Sequence, residues 1–371
     1  MTEERKISKF VFCSPTTLIE KIHLNRPYFE LPLAANRLGQ KSYLFIGKIN
    51  FSYKGPVEVV QSGYYERKWF KRFNLLIVLL RFIRSESPDN FIFFHMNLLL
   101  PLVIIANKFF NHKSKTRFML KLDWSGNRIP EFGKLMFMRN ILLSFQSHFL
   151  DNIIIENTCG YRALKTLPFL KRKRILIIPN SYASVFDTRE TEAYRERKPI
   201  ILVVSRISPE KGIEELISAF SFIKSEFENW SIKVIGPVEN IQYFKFLRNL
   251  MESLNIQDKV LFVGPKFGND IVKEMQEASI FSLPSLEESF GISRLEAMAS
   301  GLPVLTSNAG CGEDFEKMGC LVYEVGDIPK LSIFLRNLIS DKSLREQVCK
   351  NQKLNLRSYD EIILKILAPQ Q

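Results

Sequence analysis

Two loops in this 371-residue chain hold residue types suited to chemistry on an anionic, hydroxyl-bearing ligand. The first is Ser205-Arg206-Ile207-Ser208-Pro209-Glu210-Lys211-Gly212. It follows the apolar run Ile200 to Val204 and precedes a segment of helical period, Ile213, Leu216, Ile217 and Phe220. Pro209 and Gly212 shape the turn. Two cations in one strand-to-helix loop suit a reaction that expels a diphosphate, because negative charge builds on the leaving oxygen. Arg206 offers a planar fork and Lys211 a mobile point charge. Alone, the loop reads equally as a turn with two solvated charges.

The second loop is the stronger signal. Ser282 to Pro284 ends a strand, Ser285 to Phe290 crosses a loop, and a short helix opens near Gly291 and closes at Gly301. Gly301 suits the left-handed position after a helix. Gly291 would let a ligand approach the helix start, where Ile292 and its neighbours present free N–H groups to phosphate. Glu288 lies before that helix and Glu296 within it, with seven residues between them. Two carboxylates beside an anion site make sense as acceptors for sugar or ribose hydroxyls. The bland alternatives are a surface loop acid and a solvated helix residue. A third stretch, Ser307-Asn308-Ala309-Gly310-Cys311-Gly312, follows another strand. Its glycines could turn N–H groups toward an anion, or simply make a turn.

These loops need strands to position them. Short apolar runs alternate with helical segments throughout: Phe10–Phe12, Tyr43–Ile46, Phe91–Phe94, Phe118–Leu120, Ile153–Ile155 and Ile175–Ile178 in the first half. Ile200–Val204, Ile232–Ile235, Val260–Val263, Ile280–Leu283 and Pro303–Thr306 repeat the rhythm in the second. Continuous Val/Ile/Phe runs suit strands buried on both faces, and their alternation with helices predicts parallel sheets with right-handed crossovers. The expectation is an α/β protein of two doubly wound, Rossmann-like domains with a ligand at strand carboxyl ends, in a cleft between them. His95 closes the run Phe91–Phe94 and so falls at that end, although a lone histidine is more often structural.

Charge divides the chain at the same place. Residues 1–190 hold 30 Lys/Arg against 14 Asp/Glu, a net of +16, while residues 191–371 hold 22 against 25, a net of −3. The polar run Arg189–Lys198 is read as the linker. The expected domains are residues 1–188, with a closing helix from 356–371 packing back on them, and residues 189–355. The basic half contains Tyr64-Tyr65-Glu66-Arg67-Lys68-Trp69-Phe70-Lys71-Arg72-Phe73. This is either a helix with a solvated basic face or a surface that rests on an anionic membrane. No nucleic-acid motif accompanies it.

Composition excludes further classes. Hydrophobic residues make up 46% and charged residues 25%, which rules out wholesale disorder. The most apolar stretch, Leu98–Ala106, is too short to span a bilayer. No apolar signal core follows the charged N-terminus, so no secretory signal is expected. Five scattered cysteines with no Cys-x-x-Cys pair predict neither a disulfide framework nor a zinc site, and fit a cytoplasmic setting, with the chain peripheral on the inner membrane face.

The three loops together resemble the retaining glycosyltransferases of family four, which have the GT-B fold. Ser205-Arg206 with Pro209-Glu210-Lys211-Gly212 is similar to that family's diphosphate loop. Glu288 and Glu296, with Phe290-Gly291 between them and Ala297-Met298-Ala299 after them, are similar to its Glu-x7-Glu motif. Pro303–Ser307 with Gly310 is similar to its next strand and glycine loop. The likeness runs over residues 190 to 340. It implies a nucleotide-sugar donor (UDP-, GDP- or ADP-sugar) in the C-terminal domain. Arg206 and Lys211 would hold the diphosphate, Glu296 the ribose, and Glu288 a hydroxyl of the donor sugar. Ser205, Phe290, Gly291, Ile292 and Gly310 would line the site, and Lys266 would flank the base. The implied reaction is transfer with retention by front-face attack, with no protein nucleophile. No Asp-x-Asp motif occurs, and no metal is expected.

The N-terminal half is less similar. Cys13-Ser14-Pro15-Thr16-Thr17 stands where the family has a glycine-rich loop, and Lys121-Leu122-Asp123 where it has His-Asp. Asp123 matches the acid; Leu122 takes the histidine's position, so that contact is not carried over. Ile178-Pro179-Asn180-Ser181 is similar to the segment before the family's linker, and the tail from Ser358 to Leu367 to its closing helix. The acceptor, flanked by His95 and Asp123, is expected to be a lipid-linked or cell-surface glycan. The competing readings are a nucleotide-sugar epimerase on the same fold and a basic nucleic-acid-binding protein.

Overall fold

A computed structural model describes residues 7–19, 26–63, 71–96, 99–111, 114–123, 134–187 and 197–367. The chain divides into two compact units, residues 1–180 with 359–371, and residues 181–358. Residues 188–196, most of the linker read from sequence, lie outside the described residues, as do 64–70 of the basic aromatic segment. The division falls at Asn180/Ser181, ahead of the sequence boundary, because Tyr182, Ala183 and Phe186 are already buried in the core of the second unit.

The first unit is a seven-stranded parallel sheet. Its elements are β1 (Lys9–Ile19), α1 (Pro27–Arg37), β2 (Lys41–Ile49), β3 (Glu58–Gln61), α2 (Lys71–Glu86) and β4 (Asn90–Phe94), then α3 (Leu99–Phe110), β5 (Arg117–Leu122), α4 (Lys134–Ser147), β6 (Asn152–Ile155), α5 (Thr158–Thr166) and β7 (Ile175–Ile177). Strand order is β3-β2-β1-β4-β5-β6-β7. Period-two alternation sends neighbouring residues of one strand to opposite faces. Thus Val11 and Cys13 of β1 enter one core while Phe10 and Phe12 enter the other. Both faces are buried, as the continuous apolar runs require.

Two features of this unit differ from the sequence reading. Cys13 to Thr17 is not a loop: β1 runs on to Ile19, with a register shift against β2 between Ser14 and Leu18 that accommodates Pro15. An edge strand, β3, was not legible, because none of its four residues is buried and it begins with a glutamate.

The second unit has six parallel strands. It comprises β8 (Lys198–Val204), α6 (Ile213–Ser221), β9 (Ser231–Ile235), α7 (Ile241–Ser253), β10 (Val260–Gly264), α8 (Asn269–Glu277) and β11 (Ala278–Leu283), then α9 (Ile292–Ala299), β12 (Val304–Ser307), α10 (Gly312–Lys317), β13 (Leu321–Tyr323), α11 (Ile328–Ser340) and α12 (Lys342–Asn355). Strand order is β10-β9-β8-β11-β12-β13, with the reversal between β8 and β11. Ligands of such sheets sit beyond the strand carboxyl ends at this reversal. The two loops singled out in the sequence are the ones that leave β8 and β11.

The last helix, α13 (Tyr359–Leu367), belongs to the first unit. Tyr359, Ile362, Ile363 and Ile366 bury against Phe29, Leu31, Ala34 and Ala35 of the α1 face. Arg37 donates from Nε (3.0 Å) and Nη2 (2.5 Å) to Asp360 Oδ1, which fixes the helix at its first turn. Ile363 is fully buried. Ile363→Ala should therefore cost about 2–5 kcal/mol through lost burial and a residual cavity. Hydrogen exchange should quicken in β1 and β2 and stay unchanged in β8 to β11; equal acceleration in both sheets would contradict the assignment of α13 to the first unit.

Candidate active site

The loops after β8 and β11 are built against each other. Gly212 adopts φ +57, and a Cβ there would lie 2.2 Å from the Pro284 carbonyl oxygen. Only glycine lets the two backbones approach so closely. The Glu210 carbonyl then accepts from Leu286 N (2.9 Å) and Glu287 N (3.1 Å), tying loop to loop. Ser307 Oγ donates to the Ser285 carbonyl at 2.5 Å, joining the end of β12 to the same loop.

This packing brings the predicted charges together. Lys211 Nζ donates to Glu288 Oε2 at 2.7 Å, with both side chains about nine-tenths buried. Burial alone would raise the Glu288 pKa; the Lys211 charge and hydrogen bond outweigh it and hold the carboxyl below its usual range. Ser289 N donates to the other oxygen, Oε1, at 3.1 Å. Arg206 is exposed at the carboxyl end of β8. It pairs with Glu239 and, at 3.1 Å, with Glu210, and its pKa is raised chiefly by the Glu239 hydrogen bond. Ser205 Oγ donates to the Arg206 carbonyl at 3.1 Å.

The Glu-x7-Glu helix is α9, with Ile292 as its first residue and Glu296, half-buried, in its second turn. Gly291 at φ +70 precedes it and offers no side chain to cap its first N–H groups. The space a Gly291 Cβ would need is taken by the Arg294 guanidinium, 2.6 Å from Nε, and not left for a ligand as the sequence reading had it. Gly310 likewise makes room for Glu288, whose carbonyl oxygen would lie 2.8 Å from a Cβ. Phe290 is buried against Phe315 at a centroid separation of 5.3 Å. Lys266 is not brought into this group. It follows the edge strand β10, two strands from β8, and pairs with Glu274, which Lys233 also contacts at 2.8 Å.

The first unit gathers a second polar group at the carboxyl ends of β4, β5 and β6. His95, at φ +63, receives or gives a 2.9 Å hydrogen bond with Tyr28 Oη and lies 3.8 Å from Asp123. Asp123 Oδ1 accepts from Lys121 Nζ at 2.8 Å. Lys121, buried, also contacts Glu156, and Asn180 Nδ2 donates to the same Glu156 oxygen at 2.5 Å. His95 and Asp123 were legible in the sequence; Lys121, Glu156 and Asn180 were not. Lys121 and Glu156 sit in or beside runs whose apolar neighbours carry the strand signal.

The charges sort themselves within this group. Burial acts first on all three. On Asp123 it is outweighed by the Lys121 charge, so the carboxyl stays ionised well below its usual range. On Lys121 it is outweighed by Asp123 and Glu156, which keep it protonated. On Glu156 burial prevails, and the neighbouring Asp123 pushes its pKa further up. The two acids beside Lys121 are therefore pushed in opposite directions, Asp123 down and Glu156 up.

The comparisons with known proteins fall on this framework. Residues 185–355 match the family of glycosyl transferases group 1. Over 180 residues the chain is 31% identical to a glycosyltransferase of Methanocaldococcus jannaschii, a stretch covering 47% of this chain and 44% of that one. Over 171 residues it is 30% identical to the N,N'-diacetylbacillosaminyl-diphospho-undecaprenol alpha-1,3-N-acetylgalactosaminyltransferase of Campylobacter jejuni, covering 46% and 43%. The aligned stretches thus span less than half the length of these curated relatives. The Anabaena protein Alr3699/HepE, solved in complex with UDP, superposes with a TM-score of 0.69 over 98% of this chain and 99% of that one at 16% identity, a likeness of fold. Two parallel-sheet α/β units of this kind define a GT-B protein. The match to glycosyl transferases group 1 falls on its second unit.

Glu156 makes the first-unit site testable by pH. Its raised pKa means the folded chain holds a proton that the unfolded chain releases, so stability falls as pH rises from the usual carboxyl range through neutral. Glu156→Gln keeps the shape and the donor but cannot ionise. From about pH 5 to about pH 8 the wild type should lose more melting temperature than the variant; parallel curves would show that Glu156 is not held protonated.

Proposed function

We propose that the protein transfers a sugar from a nucleotide-sugar donor to an acceptor hydroxyl, with retention at the anomeric carbon. The observation that carries this reading is the buried Lys211–Glu288 pair at the sheet reversal, beside the uncapped start of α9. A carboxylate offers about four lone-pair directions, so Glu288 can accept from a sugar hydroxyl while held by Lys211 and Ser289. Arg206 has five donors in a fork, enough to meet phosphate oxygens besides its acids. Glu296 takes the ribose hydroxyls. Ser205, Phe290, Gly291, Ile292 and Gly310 act by shaping the loops and by backbone contact; Lys266, held by Glu274 beyond the edge strand β10, would meet the base only if the donor reaches that far.

In the front-face route the C1–O bond to the diphosphate breaks as the acceptor oxygen bonds to C1 on the same face. The acceptor proton passes to the departing diphosphate oxygen, whose negative charge Arg206, Lys211 and the α9 N–H groups stabilise. His95 and Asp123 serve the acceptor side. An anionic acceptor fits the +16 net charge of residues 1–190. A lipid-linked or cell-surface glycan supplies such an acceptor, and the Campylobacter relative is named for a diphospho-undecaprenol substrate. No helix of the described residues is long and apolar enough to cross a membrane, so contact with a bilayer would be peripheral.

The donor site is tested by a thermal-shift panel of UDP-, GDP- and ADP-sugars on wild type and Glu296→Ala. One nucleotide should raise the wild-type melting temperature by mass action and leave the variant unmoved. No shift with any donor would overturn the transferase reading, while a product of inverted anomeric configuration would overturn only the front-face route. The membrane face is tested by co-sedimentation with anionic vesicles. Replacing Arg67, Lys68, Lys71 and Arg72 with serine should release the protein, since each basic residue near such a surface contributes about 1 kcal/mol; unchanged sedimentation would remove the membrane from the proposal.

A further inference from the structure

Arg294 is the largest fully buried side chain among the described residues, with 0% of its surface exposed. It lies in the first turn of α9. Its Nη2 donates to the Phe290 carbonyl at 2.6 Å. Its Nη1 donates to the Ala309 carbonyl and to Thr306 Oγ1, each at 3.2 Å. The guanidinium stacks 3.8 Å from the Phe315 ring, and Nε is buried without a hydrogen-bond acceptor. No carboxylate of the described residues lies within ion-pairing distance; Glu288 acts on it only at longer range. Burial pulls its pKa down to about 10, so it stays charged at neutral pH.

A buried cation without a paired anion costs several kcal/mol, and a well-packed apolar residue of similar volume would avoid that cost. The geometry shows what the charge does instead. The Phe290 carbonyl belongs to the turn into α9, and the Ala309 carbonyl to the loop whose Gly310 packs on the Glu288 backbone. One planar fork therefore clamps the loops on both sides of Glu288. The charge count points the same way. Around the two loops Arg206 and Lys211 face three acids, Glu210, Glu239 and Glu288. Glu287 of the same loop and Glu296 of α9 add two more acids, so Arg294 offsets part of a net negative charge on the loops meant to receive a diphosphate.

We propose that Arg294 is a positioning residue of the donor site, clamping the Phe290 and Ala309 loops around Glu288 and supplying from behind them the positive charge that favours a diphosphate over a less charged ligand. The inference rests on the donor reading above and deepens it. Its two parts separate by substitution: Arg294→Lys keeps the charge and loses the fork, whereas Arg294→Met loses both at similar volume.

The test uses whichever of UDP, GDP and ADP stabilises the wild type, together with the matching monophosphate, by calorimetric titration. Arg294→Met should weaken the diphosphate about tenfold and the monophosphate much less, because a buried charge acts through a low dielectric. Arg294→Lys should hold diphosphate affinity near wild type while kcat falls and KM stays. In both variants hydrogen exchange should quicken at 286–291 and 308–312 and not in β8 or β9. Equal weakening of mono- and diphosphate in Arg294→Met, or wild-type kcat in Arg294→Lys, would overturn the proposal. If Arg294→Met does not fold, the split between kcat and KM in Arg294→Lys decides. Failure of the wild type to bind any of the three diphosphates would instead overturn the donor reading, and this one with it.

Discussion

The second unit is organised around one requirement: Lys211 and Glu288 must meet, nearly dry, at the ends of two different strands. Removing two charges from water is expensive, and their attraction compensates only where geometry and extra hydrogen bonds are good. Everything local follows from meeting that condition. The loop after β8 has to reach the loop after β11, so Gly212 gives up its side chain to the Pro284 carbonyl. The Glu210 carbonyl takes two N–H groups that would otherwise be orphaned. Ser289 supplies the remaining hydrogen bond to Glu288. Parallel strands β8 and β11 lie side by side at the sheet reversal, which is the one place where consecutive halves of the fold put two carboxyl ends together without a crossing connection.

Much of this was legible in the sequence because strands buried on both faces leave continuous apolar runs. Ile200–Val204 and Ile280–Leu283 announced β8 and β11, and with them which loops would lie at the sheet reversal. The misses have physical causes as well. β3 and β13 are short and mostly half-buried, so they lack a run to notice. Pro15 reads as a strand breaker, yet a register shift lets β1 carry it. Gly291 was read for its missing side chain and its freedom of φ; both are used, but the space is filled from within by Arg294. A sequence shows that room is needed and not what fills it.

The first unit makes the complementary point. Its strands were legible, and its polar site was legible only in part. Lys121 and Glu156 are charged residues at the ends of apolar strands, a pattern that by itself predicts surface charge. The fold instead buries them at 4% and 1% side-chain exposure, and the cost is met by joining them to Asp123 and Asn180. Which of two neighbouring carboxyls keeps the proton depends on which lies deeper, and depth is a tertiary property. Asp123, a third exposed and beside Lys121, is held low; Glu156, enclosed, is pushed up.

Both units pair the cations of their sites with acids. In the first, Lys121 is surrounded by acids, and its positive charge is cancelled locally. In the second, the cations that the motif advertises are likewise matched by acids, Lys211 by Glu288 and Arg206 by Glu210 and Glu239. Such pairs orient donors, but they contribute little net field. If these loops hold a diphosphate as proposed, the positive potential for it must come from groups whose charge is not spent on a neighbour. Two sources meet that description: the uncapped N–H groups that open α9, and Arg294, set among carbonyl dipoles behind them. An arginine suits that place better than a lysine, because its fork satisfies several carbonyls at once while its charge cannot easily be lost to burial. On the donor reading proposed above, selectivity for an anion would be set less by Arg206 and Lys211, which identify the motif, than by the buried Arg294 that the motif conceals.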